Sequence, residues 1–147
     1  MIFQKQIEKQ YKEKLFNRQD ETKDIFYFSS ADFEGLKKEA FSFPSKLGHT
    51  LQGWFYHYDA PIKDRLVIFD HGMGCGHRAY MKEIEMLARH GYLVFSYDHT
   101  GCAESAGEST NGFAQSLSDL DACITALKNE DEYKNLSISV VGHSWGA

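Results

Sequence analysis

Two kinds of apolar pattern alternate between Arg65 and Gly142. RLVIFD and YLVFSYD are short apolar runs bounded by turn residues, the signature of strands buried on both faces, and LSISVV returns to a strand pattern. Helical spacing separates them. Met81, Ile84, Leu87 and Ala88 form one stripe, with Gly91 where a helix C-terminus favours a left-handed residue; Phe113, Leu117, Leu120, Ile124 and Leu127 form a second. From Ala40 to Tyr58, AFSFPSKLGHTLQGWFYHY alternates apolar and polar side chains about a KLGHT turn, as an antiparallel hairpin does. At the start, Phe3, Ile7, Tyr11 and Leu15 recur every four residues among Lys5, Glu8, Lys9, Lys12 and Glu13, which predicts an amphipathic helix.

Strands joined by helix-sized crossovers are parallel, so the pattern predicts an α/β fold: a mostly parallel sheet with an antiparallel N-terminal hairpin. No internal repeat or second domain is visible. Residues 1–39 read as an N-terminal helical extension and residues 40–147 as the sheet domain, with no clear period between Arg18 and Ala40.

Charge narrows the partners. The net charge of −5 provides no footprint for nucleic acid or an anionic membrane over the whole chain. Its first stretch differs, carrying Lys5, Lys9, Lys12, Lys14 and Arg18 against Glu8 and Glu13. A basic amphipathic helix suits a membrane surface or a partner's groove; the simpler expectation is that it packs on its own domain. Three cysteines, Cys75, Cys102 and Cys123, are an odd number, and the charged N-terminus lacks a signal peptide's apolar stretch, so reduced thiols in the cytoplasm are expected. No apolar run approaches the roughly 20 residues of a membrane span.

In an open parallel sheet, ligands collect beyond the carboxyl ends of the strands, where three unusual loops should meet. Gly142, His143, Ser144, Trp145 and Gly146 fit G-x-S-x-G directly after a strand. Both glycines suit a tight turn that forces Ser144 into a strained conformation, exposing its hydroxyl and turning the Trp145 amide toward an oxyanion. The companion loop, DHGMGCGH, has His71 and Gly72 at the end of a strand and glycines at 72, 74 and 76 that let backbone approach a ligand.

These motifs resemble the α/β hydrolases of the serine esterase, lipase and aminopeptidase type. The resemblance covers Ala40 to Ala147. It implies an ester, thioester or amide hydrolase with Ser144 as nucleophile and no cofactor or metal. The Met73 and Trp145 amides would form the oxyanion hole, supported by His71, Gly72, Gly74, Gly142 and Gly146. DHTGCAES also resembles the family's D-x-R-G-x-G-x-S loop through Asp98, Gly101 and Ser105, departing at Thr100 (usually Arg) and Ala103 (usually Gly).

Other readings fit less well. His71, Cys75, His77, His99, Cys102 and His143 gather near one rim, but without the spacing of a zinc site. GMGCGH resembles a dinucleotide-binding loop with Asp98 as its ribose acid, yet position 77 is His where a third glycine belongs. A serine nucleophile also needs a histidine base and a carboxylate to orient it, which in this fold follow the serine in chain order. Both fall beyond Ala147, so neither is assigned. As substitutes, His71 belongs to the oxyanion loop, and His77 and His99 sit on loops with no visible carboxylate orienter. The chain therefore reads as an N-terminal half, truncated after the elbow, with a small ester or amide as substrate and a complementing C-terminal half as partner. The alternative is an inactive fragment or a ligand-binding module. Without the helix that should begin at Ser144, the elbow is expected to relax, and the last strand to form an exposed edge.

Overall fold

In a computed structural model, which describes residues 2–61 and 64–147, five strands form one sheet. They are β1 (Lys37–Pro44), β2 (Thr50–His57), β3 (Arg65–Asp70), β4 (Leu93–Tyr97) and β5 (Ser137–Gly142), in the order β1-β2-β4-β3-β5. β1, β2 and β4 pair antiparallel in succession, while β3 runs parallel to both β4 and β5. Among the described residues the α-helices are α1 (Ile2–Lys14), α2 (Met81–Arg89) and α3 (Phe113–Asn129). This is the α/β-hydrolase-type arrangement, an antiparallel hairpin leading into a parallel sheet.

The period-2 alternation of the strands splits the core into two layers. Leu66, Ile68, Phe95 and Tyr97 face α3 through Ala122, Cys123 and Leu127, whereas Val94 and Phe69 face α2 through Met81, Ile84 and Ala88. The connection from β3 to β4 leads one way across the sheet, and that from β4 to β5 passes back over β3. Two right-handed crossovers of opposite direction place their helices on opposite faces. Beyond Asp70 and Gly142 the chain therefore leaves adjacent strands toward different layers, which opens a crevice.

Helix α2 ends as its glycine predicts. Gly91 has φ 91°, its N–H donates to Ala88 O (2.9 Å), and Tyr92 N–H donates to Leu87 O (3.3 Å), a Schellman closure. The hairpin begins three residues before the expected Ala40, and β2 is buried on both faces because Leu51 and Phe55 pack into one core layer and Trp54 and Tyr56 into the other.

Two helical expectations fail. Helix α1 does not pack on the domain: none of its residues is buried, with Phe3 79% and Ile7 51% exposed. The N-terminal segment is anchored just after the helix, so α1 stands clear. In α3 the expected stripe is displaced at its start. Phe113 and Leu117 are exposed while Gln115, Ser116 and Asp119 are buried, because this half of the helix covers polar loops rather than the sheet. No helix among the described residues is long and apolar enough to cross a membrane.

Candidate active site

The G-x-S-x-G segment forms a tight turn at the end of β5. His143 N–H donates to Asp70 O (3.2 Å), the last rung of the β3–β5 ladder, and Ser144 then turns to φ 55°. That left-handed conformation is costly for a residue with a side chain, and it persists here although a relaxed turn was expected. Its neighbours have no room for side chains. A Cβ on Gly142 would lie 1.8 Å from Gly146 O, and one on Gly146 would lie 2.3 Å from Asp70 O. Ser144 is exposed, and among the described residues no hydrogen bond occupies its hydroxyl or the Trp145 amide.

Beside this turn lies the loop after β3. Gly72 N–H donates to the Tyr80 hydroxyl (3.2 Å), which is 3.0 Å from His143 Nδ1 and can donate its own proton there. Tyr80 thus couples the two loops, a role with no sequence signal. A Cβ on Gly72 would lie 2.5 Å from that hydroxyl and 3.0 Å from His143 O. Met73 N–H has no acceptor among the described residues.

Below the loops, three histidines are buried and committed. His71 Nε2 accepts from His99 N–H (3.0 Å) and Nδ1 donates to Gly72 O (2.8 Å), so a neutral ring satisfies both partners. Burial, and then the nearby His99, push its pKa down to about 4. His77 donates from Nδ1 to Asp98 (2.9 Å) and accepts at Nε2 from the Tyr56 hydroxyl (2.8 Å). Burial alone would raise Asp98, but His77 outweighs it and holds the carboxyl down to about 2.

His99 Nε2 lies 2.8 Å from Asp70 Oδ1 and Nδ1 lies 3.7 Å from Asp119 Oδ2. Neither contact has hydrogen-bond alignment, so the pairing is electrostatic. Burial would lower His99, yet the Asp119 and Asp70 carboxylates outweigh it and raise the ring to about 9. Carboxylate partners absent from the sequence reading therefore exist for His77 and His99. The fold brings together strand ends that are distant in the chain. Both rings are only 1% exposed, and no histidine hydrogen-bonds Ser144 among the described residues.

The loop after β4 is held by groups that local spacing does not reveal. Thr100 donates from its backbone (2.7 Å) and hydroxyl (3.0 Å) to Asp119, which also receives Gln115 (2.8 Å). Ala103 adopts φ 38°, where glycine would be strained less. Arg18, from the N-terminal segment, donates to the carbonyls of Ala103 (2.5 Å), Ser105 (3.0 Å) and Gly107 (2.8 Å). Phe16, Phe113 and Trp145 meet in an aromatic cluster at the mouth, with ring centroids 5.4 to 6.5 Å apart.

Comparison with known proteins bears on the family and the fold. A family model described as serine aminopeptidase, S33, matches residues 61–147. The chain is similar to the uncharacterized protein YqkD of Bacillus subtilis (strain 168), with 29% identity over 142 residues covering 96% of this chain and 44% of YqkD. Among solved structures, it resembles the Pyrococcus furiosus esterase Pf2001 with a TM-score of 0.71 and 26% identity, over 83% of this chain and 47% of that one. Esterase Est22 has the same fold, with a TM-score of 0.62 at 20% identity, over 80% of this chain and 38% of its own. The chain spans less than half the length of each of these relatives.

Proposed function

The chain belongs to the serine aminopeptidase S33 family of α/β hydrolases, and from that premise we propose that Ser144 is the nucleophile of a serine hydrolase acting on carboxylic esters, or on thioesters or amides. The observation that carries this reading is Ser144 at φ 55° between two glycines that admit no side chain, beside an amide-bearing loop. In the proposed reaction the Ser144 hydroxyl attacks the substrate carbonyl carbon and loses its proton to a base. The Met73 and Trp145 amides then stabilise the tetrahedral oxyanion. Collapse expels the alcohol, thiol or amine and leaves an acyl-enzyme, which water cleaves to release the acid. The base and its carboxylate lie downstream of Ser144 in the family's chain order, and the complementing C-terminal half would supply them.

One observation favours a second reading for the 147-residue chain by itself, an inactive or ligand-capturing module. Every buried histidine near the site is already engaged by other groups, and none reaches Ser144 among the described residues. A fluorescent fluorophosphonate probe separates the two readings. The hydrolase reading expects labelling of the folded chain that vanishes in Ser144→Ala and after heat denaturation. Folded, soluble chain that stays unlabelled would overturn the claim that this chain alone is an enzyme.

A further inference from the structure

The loop between Gly72 and Gly76 carries three glycines in five residues and needs external restraint to hold one backbone conformation. Gly74 lies at φ 108°, and a Cβ there would meet nothing within 4 Å, so no side-chain collision holds it in place. Its N–H donates to Gln19 Oε1 at 2.5 Å, across 55 residues of sequence. The same side-chain amide donates from Nε2 to Leu15 O (3.2 Å), a carbonyl just after α1 with no other donor among the described residues. Only this orientation of the amide satisfies both an N–H and a carbonyl, which fixes which end faces the loop.

Gln19 is itself rigidly placed. Its N–H donates to Gly101 O (2.8 Å) and its carbonyl accepts from Ala103 N–H (2.9 Å), so it forms a bridge to the loop after β4. Adjacent Arg18 clamps the carbonyls of that same loop. Residues Phe16 to Gln19 thus form a strap that reads both loops flanking Ser144. The strap lies outside the residues matched by the family model.

The geometry points to Gln19 as a positioning residue that fixes the backbone aiming the Met73 amide. The peptide unit carrying the Met73 N–H lies between two tethered units: Tyr80 accepts the Gly72 N–H on one side, and Gln19 accepts the Gly74 N–H on the other. The carbonyl of the middle unit, Gly72 O, itself accepts from His71 Nδ1–H (2.8 Å), and Gln19 adds the restraint on its C-terminal side, so the N–H has a defined direction before any substrate arrives, which is what an oxyanion donor requires. This inference rests on the reading of Met73 as such a donor, but the restraint on the loop is measurable without turnover.

The test compares wild type, Gln19→Ala and Gln19→Glu by amide hydrogen exchange across Gly72–Gly76, alongside the kinact and KI of fluorophosphonate labelling. Gln19→Glu keeps an acceptor oxygen for Gly74 but loses the donor to Leu15, so it separates loop restraint from tethering of α1. Exchange at Gly74 should rise about tenfold in Gln19→Ala, the loss of one net hydrogen bond, while amides of β3 and β4 are unchanged. Gln19→Glu should remain close to wild type. Labelling should show kinact reduced about tenfold in Gln19→Ala at unchanged KI, restored in Gln19→Glu. Unchanged Gly74 exchange in Gln19→Ala, equal acceleration in both variants, or faster exchange without any fall in a measurable kinact overturns the inference. If wild type is not labelled, the Ser144 reading for this chain fails, and the exchange data alone decide Gln19.

Discussion

His71 and His99 meet edge to face with ring centroids 4.5 Å apart, so a proton on one opposes a proton on the other. The surroundings settle which ring holds it. His99 sits between two carboxylates and is raised to about 9, while His71, occupied by a backbone donor and a backbone acceptor, is lowered to about 4. Each shift makes stability depend on pH, in opposite senses. For His99, the raised value means that its contribution is complete below the ordinary 6.5 and is lost as pH climbs through 9. For His71, a neutral ring is favoured, so its contribution is complete above 6.5 and is lost as pH falls through 4. The pair therefore predicts greatest stability near pH 6.5. Each limb should lose on the order of 3 kcal/mol. Urea unfolding across this range checks it, with ring-proton NMR assigning each limb; a flat profile would remove the charged His99 from the account.

At the scale of elements, the N-terminal segment divides into a helix that contacts little and a strap that holds the site. Removing residues 2–14 deletes no buried side chain, so unfolding free energy should change by less than about 0.5 kcal/mol. Arg18→Ala strips a charged donor from three loop carbonyls and should cost about 2 kcal/mol, with urea midpoints deciding between the two expectations. This contrast also marks what the sequence could convey. Strands β3 and β4 and helix α2 were legible because burial on both faces, or on one stripe, leaves a local period. The tight turn at Gly142 was legible because its collision with Gly146 falls within five residues, whereas Gly146 is pressed by Asp70 O on a neighbouring strand. Gln19, Arg18 and Tyr80 were not, since their partners are set by topology rather than spacing. The start of α3 misled for a related reason. Asp119 is buried by donors from Thr100 and Gln115 and by His99, so the helix's inward face there is polar, and the apolar Phe113 and Leu117 point outward.

For the whole molecule, the sheet has two unlike sides. β3 is buried at every position but its first, whereas β5, paired with it residue for residue, is exposed at all but Ile138. Val140 and Val141 remain 44% and 38% exposed on an edge whose outer N–H and carbonyl groups have no partner strand among the described residues. An apolar edge of this kind is a template for pairing with another chain, because a second strand would satisfy its backbone. The opposite edge, β1, is protected differently, with Lys37, Lys38 and Glu39 along its exposed start. The 147-residue chain is therefore expected to self-associate through β5, and a lysine there should oppose it, since pairing would force a charge into the contact. Val140→Lys tests this without touching the site loops. Light scattering over a concentration series should show wild type growing in mass while Val140→Lys stays monomeric with the same circular dichroism. Wild type that remains monomeric at every concentration would mean that the twist of the sheet already shields the edge.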